Sequence, residues 1–270
     1  MPKVNANGAE ISYQMIGTGQ PLLFIHGSGG CWKQWEPQFA AFSQEFTMIL
    51  MDMRGHGESS KEFPEGRYSM RVIAEDVKCF LDALGIRQIP IIGLSQGAVV
   101  ASLFASQHPE YVEKLVLSNG YSEIPTRVAG WVLDVSNAVF GLLSFDTIMR
   151  LATSVYGKDE YTKKVIMDST SIDKQMLLAM KKSDFPEHTK DLHRTTAPTL
   201  IMAGDKKIVG PEEKAAMIML EHIPNAVAAI FHGAFDPLTT MRRDTFNDMV
   251  IDFIKGNELK PYDGVKYVRK

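Results

Sequence analysis

Six short apolar runs constrain this chain more than any other feature: PLLFIHG (21–27), FTMILMD (46–52), IPIIGLS (89–95), KLVLSNG (114–120), PTLIMAG (198–204) and AVAAIF (226–231). Each has three to six apolar residues, and nearly all close on Gly, Asp or Ser. A strand with one wet face alternates apolar and polar residues, whereas an unbroken apolar run of this length fits a strand buried on both faces of a parallel sheet. Parallel strands need crossover connections, and the intervening segments have three- and four-residue apolar spacing. This spacing predicts helices over 70–84, 98–107, 212–222 and 245–255.

The fold class expected is α/β: a doubly wound, mostly parallel sheet. Between the fourth and fifth runs the alternation lapses into amphipathic stretches rich in Met, Leu and Val. Residues 121–190 therefore read as an inserted helical cap on a core formed by 1–120 and 191–270. The polar tail GNELKPYDGVKYVRK reads as a solvated extension.

With 270 residues and a formal net charge of -3, the chain offers no electrostatic reason to bind nucleic acid or an acidic membrane. Its two cysteines, Cys31 and Cys79, cannot build a disulfide framework and suit a reducing compartment. Neither a signal-peptide core nor a run of about 18 apolar residues is visible, so the expectation is a soluble cytoplasmic protein. No His, Cys, Asp or Glu cluster has ligand spacing, and GSGG lacks the lysine and hydroxyl of a phosphate loop. No metal and no cofactor are expected.

Three loops carry the chemistry. GLSQG (93–97) lies between an apolar run and a helical one, the setting of a nucleophile elbow that raises Ser95 above the sheet. HGSGG (26–30) follows the first strong run and nominates the backbone N–H of Ser28, with that of Gln96, as an oxyanion hole. His26, and likewise Arg54 and His56 in MDMRGHGESS (51–60), read as loop-ordering residues.

Together these loops make the chain resemble the α/β-hydrolase superfamily over nearly its whole length, particularly small esterases, enol-lactone hydrolases and cofactor-free haloperoxidase-like proteins. The resemblance implies an acid in a G-x-x-D pattern after the penultimate strand and a histidine in a G-x-G-H pattern after the last. Counting from Gly204 places Lys207 where the acid belongs, and GAFD (233–236) places Asp236 where the histidine belongs. An ion pair between Lys207 and Asp236 is one expectation; it would hold Asp236 below the ordinary carboxylate pKa of about 3.9 and leave a poor base. A second is a displaced triad of Ser95, Asp205 and His232, in the chain order that the resemblance requires.

The apolar cap residues Trp131, Phe140, Leu142, Leu143, Phe145, Ile148 and Met149 are candidate pocket walls over Ser95, while Trp32 and Trp35 read equally as pocket walls or as a lid hinge. Such a pocket suits a small hydrophobic ester, lactone or related carbonyl compound. The functional expectation is a serine hydrolase with an atypical triad. A non-catalytic binding or sensor protein, or a lyase or isomerase using the same cavity, remains open as an alternative.

Overall fold

A computed structural model describes residues 1–125, 141–208 and 210–270. Its nine strands are β1 (Lys3–Ala6), β2 (Ala9–Ile16), β3 (Gln20–Ile25), β4 (Phe46–Met51), β5 (Ile89–Leu94), β6 (Val112–Ser118), β7 (Thr199–Gly204), β8 (Ala226–Phe231) and β9 (Val265–Arg269). They form one sheet in the order β1-β2-β4-β3-β5-β6-β7-β8-β9. The six apolar runs supply β4, β3 and β5 through β8, all mutually parallel. Every residue of β5 and β7 is buried, as two covered faces demand.

Strand alternation divides the core into two layers. Leu23 and Ile25 of β3 face the cluster that includes Ile73, Val77 and Phe80 of helix Met70–Ala83 and Leu103 of helix Gln96–Gln107. Leu22 and Phe24 face the other cluster, with Trp35, Phe42 and the Phe246, Met249, Val250 and Ile254 stripe of helix Arg243–Lys255. A fold of this kind places the chemistry at the carboxyl ends of its parallel strands, where the loops after β3, β5, β7 and β8 meet.

The tail corrects an expectation. Rather than a solvated extension, it contains β9, which pairs antiparallel with β8 from Val227↔Arg269 to Phe231↔Val265. The antiparallel strands β1 and β2 at the opposite edge likewise have no counterpart among the six runs. All three are peripheral and partly exposed, so their apolar content is diluted to a level a loop could match.

Between β6 and β7 the described residues contain helices Phe145–Ser154, Glu160–Ser169 and Lys174–Lys182, and no strand. Ser144, Asp159 and Asp173 cap them, accepting from the N–H groups of Thr147, Thr162 and Met176. Among the described residues, no helix is long and apolar enough to cross a membrane.

Candidate active site

Ser95 sits at φ 53° and ψ -116°, between β5 and helix Gln96–Gln107. A serine is held in that region only when its surroundings fix it. Ser95 N–H donates to the Ser118 carbonyl at 2.7 Å, and the Ser95 carbonyl accepts from Ala98 and Val99 in the first helical turn. The flanking glycines are steric necessities: a Cβ on Gly93 would stand 2.5 Å from the Gly97 carbonyl oxygen, and one on Gly97 only 2.2 Å from that of Ile25. The turn can therefore tighten only without those side chains.

The loop after β3 is ordered from behind. Buried His26 receives the Met53 N–H on Nε2 at 3.0 Å, and its Nδ1 lies 2.8 Å from the Gly27 carbonyl. Gln34 Oε1 accepts from Gly27 N–H, and His56 Nε2 from Gly29 N–H. Burial lowers the pKa of both histidines, so they order the loops as neutral rings. Among the described residues, neither the Ser28 nor the Gln96 N–H donates to a protein acceptor. Both N–H groups thus remain without a protein acceptor, one following Ser95 in the chain and one following Gly27, whose ideal Cβ would lie 3.4 Å from Ser95 Cβ.

The glycines and polar residues of 51–60 form a structural knot. Asp52 accepts from the N–H groups of Trp32 and Glu58, while Arg54 and buried Asp76 make a two-pronged ion pair at 2.8 and 2.7 Å. Trp35 is wholly buried against Phe24 rather than lining a pocket. Trp32 stacks on Phe39. Trp131 and Phe140 lie outside the described residues; Ile148 is buried, whereas Leu142 is 89% exposed and walls nothing.

The expected ion pair is not formed. Lys207 is exposed and makes no salt bridge to Asp236 among the described residues. Asp205 and His232 do meet, with Oδ2 2.7 Å from Nδ1, and Gly233 N–H also donates to Asp205. That pair is nonetheless at the surface. The His232 side chain is 85% exposed and has no hydrogen bond to Ser95 among the described residues. Leaving β8 four residues before Asp236, it projects outward, and its partner Asp205 is itself partly exposed.

Asp236 takes the position beside Ser95: its carboxyl group lies close enough to the Ser95 side chain for that hydroxyl to favour its ionised form. Behind it stands Glu212, 2% exposed at the start of helix Glu212–His222. Glu212 Oε1 accepts from Asp236 N–H at 3.0 Å, while Oε2 accepts from Asn119 Nδ2 at 2.6 Å and Gly204 N–H at 3.2 Å. Gly204 is required here, because a Cβ would approach the Ala234 carbonyl oxygen to 2.1 Å. From the insertion between β6 and β7, Tyr156 donates its hydroxyl to the Asp236 carbonyl at 3.0 Å and stacks on Phe235 at 5.4 Å.

Two carboxyl groups thus share one corner, Glu212 buried and Asp236 half-buried, and neither forms an ion pair among the described residues. Burial first, and the charge of Glu212 second, push Asp236 up to about 7, against the lowering influence of the nearby Ser95 side chain. Burial also raises Glu212, opposed by its three donors. The sign expected for Asp236 is therefore reversed: with Lys207 in solvent and a second acid in its place, the carboxyl group titrates where an imidazole would. Glu212, Asn119 and Tyr156 are the site residues that sequence reasoning missed. The only local signals were an acid in a helix's first turn, which reads as a dipole complement, and an Asn-Gly turn after β6.

Removing the Glu212 charge isolates its effect. Glu212→Gln is expected to move the Asp236 titration to lower pH by at least about 1 pH unit. Carboxyl-carbon NMR with Asp236→Asn as the assignment control measures it; an unmoved titration refutes the coupling.

The family model described as "alpha/beta hydrolase fold" matches residues 20–238. An uncharacterized protein of Mycobacterium tuberculosis is 35% identical over 138 residues, covering 51% of this chain but only 37% of that protein's length. The serine hydrolase BPHL of Mus musculus is 27% identical over 264 residues, 94% of this chain and 86% of its own. Among solved structures, the enol-lactonase from Burkholderia xenovorans superposes with a TM-score of 0.79 at 22% identity, covering 94% of this chain and 100% of that one.

Proposed function

The chain belongs to the α/β hydrolase fold family, and on that footing we propose that it hydrolyses a small apolar ester or lactone through Ser95, with Asp236 in the histidine's role and Glu212 in the acid's. The single observation that carries this reading is the placement of the Asp236 carboxyl group beside the elbow serine with Glu212 behind it, an arrangement that pushes Asp236 up to about 7. A general base works best when its pKa lies near the working pH. An ordinary aspartate would be far too weak a base to share a serine proton.

In the first half-reaction the Asp236 carboxylate takes the Ser95 hydroxyl proton as Oγ bonds to the substrate carbonyl carbon. The Ser28 and Gln96 N–H groups receive the developing oxyanion. Collapse breaks the carbon–oxygen bond to the leaving group, which takes the proton back from Asp236 and departs as an alcohol. Water then gives a proton to Asp236 and its oxygen to the acyl carbon. Ser95 leaves with that proton and the acid product is freed. Asp236 is neutral at each tetrahedral intermediate, so Glu212 opposes no charge there. Where imidazolium needs a negative partner, a carboxyl base needs a neighbour that raises its proton affinity, and the same kind of residue supplies both.

The names of two similar proteins, a serine hydrolase and an enol-lactonase, agree with the reaction class. A fluorophosphonate tests the reading directly. Stoichiometric modification of Ser95 is expected, with a rate that climbs as Asp236 loses its proton and levels off above a pH of about 7. An intact protein that resists labelling at every pH overturns the nucleophile; if it also binds apolar carbonyl compounds, the chain is a receptor.

A further inference from the structure

A groove of about 680 Å³ lies between the segment 55–68 after β4 and residues 171–179 of the β6–β7 insertion. Phe63, Tyr68, Ile172, Met176 and Ala179 give it apolar walls, and the exposed Lys61, Asp173 and Gln175 stand at its edge. A glycine keeps it open: a Cβ on Gly55, whose φ is +87°, would come within 3.2 Å of both Met176 Sδ and the Phe63 ring. This volume is within the range of small-molecule sites.

Wall residues of the groove touch both loops that carry the proposed oxyanion donors. Next to Ser28, a Cβ on Gly29 would lie 3.3 Å from Ile172 Cδ1, and Ser171 N–H donates to the Gly29 carbonyl. At Gln96, the Tyr68 hydroxyl stands beside the side-chain amide closely enough to feel it, but outside good hydrogen-bond geometry. Neither that hydroxyl nor Gln96 Oε1 has a partner among the described residues, although both are buried and Tyr68 is only 6% exposed. Unmet polar atoms at such a depth are costly unless something answers them.

Sheet order gives the groove a direction. From one edge inward the relevant strands run β4, β3, β5, β6, β7, β8. The groove belongs to the β4 side, the oxyanion donors and Ser95 to β3 and β5, and Glu212 and Asp236 to the loops after β7 and β8. A leaving group protonated by Asp236 must lie on the β8 side, so the other substituent of the carbonyl extends toward β4. We infer that this groove holds the acyl chain of the substrate, and that the preferred substrates are esters or lactones with an extended apolar acyl part rather than acetyl esters. The inference rests on the Ser95 hydrolase reading for its orientation.

Two variants fill the groove without touching the catalytic groups: Met176→Trp and, should tryptophan disturb the helix, Ala179→Leu. With p-nitrophenyl decanoate, kcat/KM is expected to fall at least about tenfold in either, while with p-nitrophenyl acetate it changes less than about twofold. Equal losses on both esters, or none on either, overturn the groove as an acyl site. Calorimetry with 2-decanone on Ser95→Ala needs no turnover: binding is expected, and is expected to vanish in Ser95→Ala/Met176→Trp. Binding lost on filling, in a chain that cleaves neither ester, upholds the groove and refutes the hydrolase reading. No binding and no chain-length effect refute the groove.

Discussion

Replacing Asp236 by asparagine is expected to abolish most turnover and, at the same time, make the protein more stable. An amide cannot accept the Ser95 proton, and loss of one member of such a constellation costs about 10⁴–10⁶-fold in kcat. The stability effect follows from linkage. The folded-state pKa is about 7 and the unfolded one about 3.9, so the folded chain holds this proton more tightly. Below a pH of about 4 both states are protonated and the residue imposes no penalty. As pH rises from there toward 7, the unfolded chain releases its proton first and stability falls; above that the full penalty is present, on the order of 2–4 kcal/mol. Asp236→Asn removes it. Urea unfolding at pH 8 should show the variant more stable by that order, with the gap closing near pH 4. A variant as active as the parent, or no more stable at pH 8 than at pH 4, contradicts the assignment.

The largest purely structural loss is expected at Arg54. Its side chain and that of Asp76 are 4% and 0% exposed, and the guanidinium also donates to the Asn7 and Glu62 carbonyls. Asp76 is raised by its own burial, a rise that Arg54 and Asn7 oppose. Arg54→Met leaves a carboxylate with too few partners in a dry site, at a cost of about 3–5 kcal/mol. For a chain of this length that lowers Tm by about 10 °C. The double variant Arg54→Met/Asp76→Leu should recover most of the loss, because the pair is worth far less than either half left alone. A single variant less than about 1 kcal/mol below the parent would show that the pair is hydrated in solution.

Much of the architecture was readable because burial on both faces leaves a sequence little freedom. β3 through β8 appear as unbroken apolar runs, and the helices between them keep their apolar spacing. β1, β2 and β9 escaped notice because a partly exposed strand at a sheet edge needs no such run. The elbow was readable because only glycine tolerates a carbonyl at 2.2 Å from where Cβ would be. Asp236 was reachable by counting from Gly233, since the loop after the last parallel strand keeps its register.

The chain's own order of residues therefore determined the sheet, the serine raised over it and the carboxyl group that faces it. What that carboxyl group can do was decided in three dimensions. Counting along the chain offered Lys207 as its neighbour, and a cation would have made Asp236 a weaker base. Folding instead turns Lys207 to water and brings up Glu212, 24 residues away in sequence, until it holds the Asp236 N–H. Proton affinity depends on charge and dielectric through space, and these fall off with distance in ångströms rather than with separation in residues.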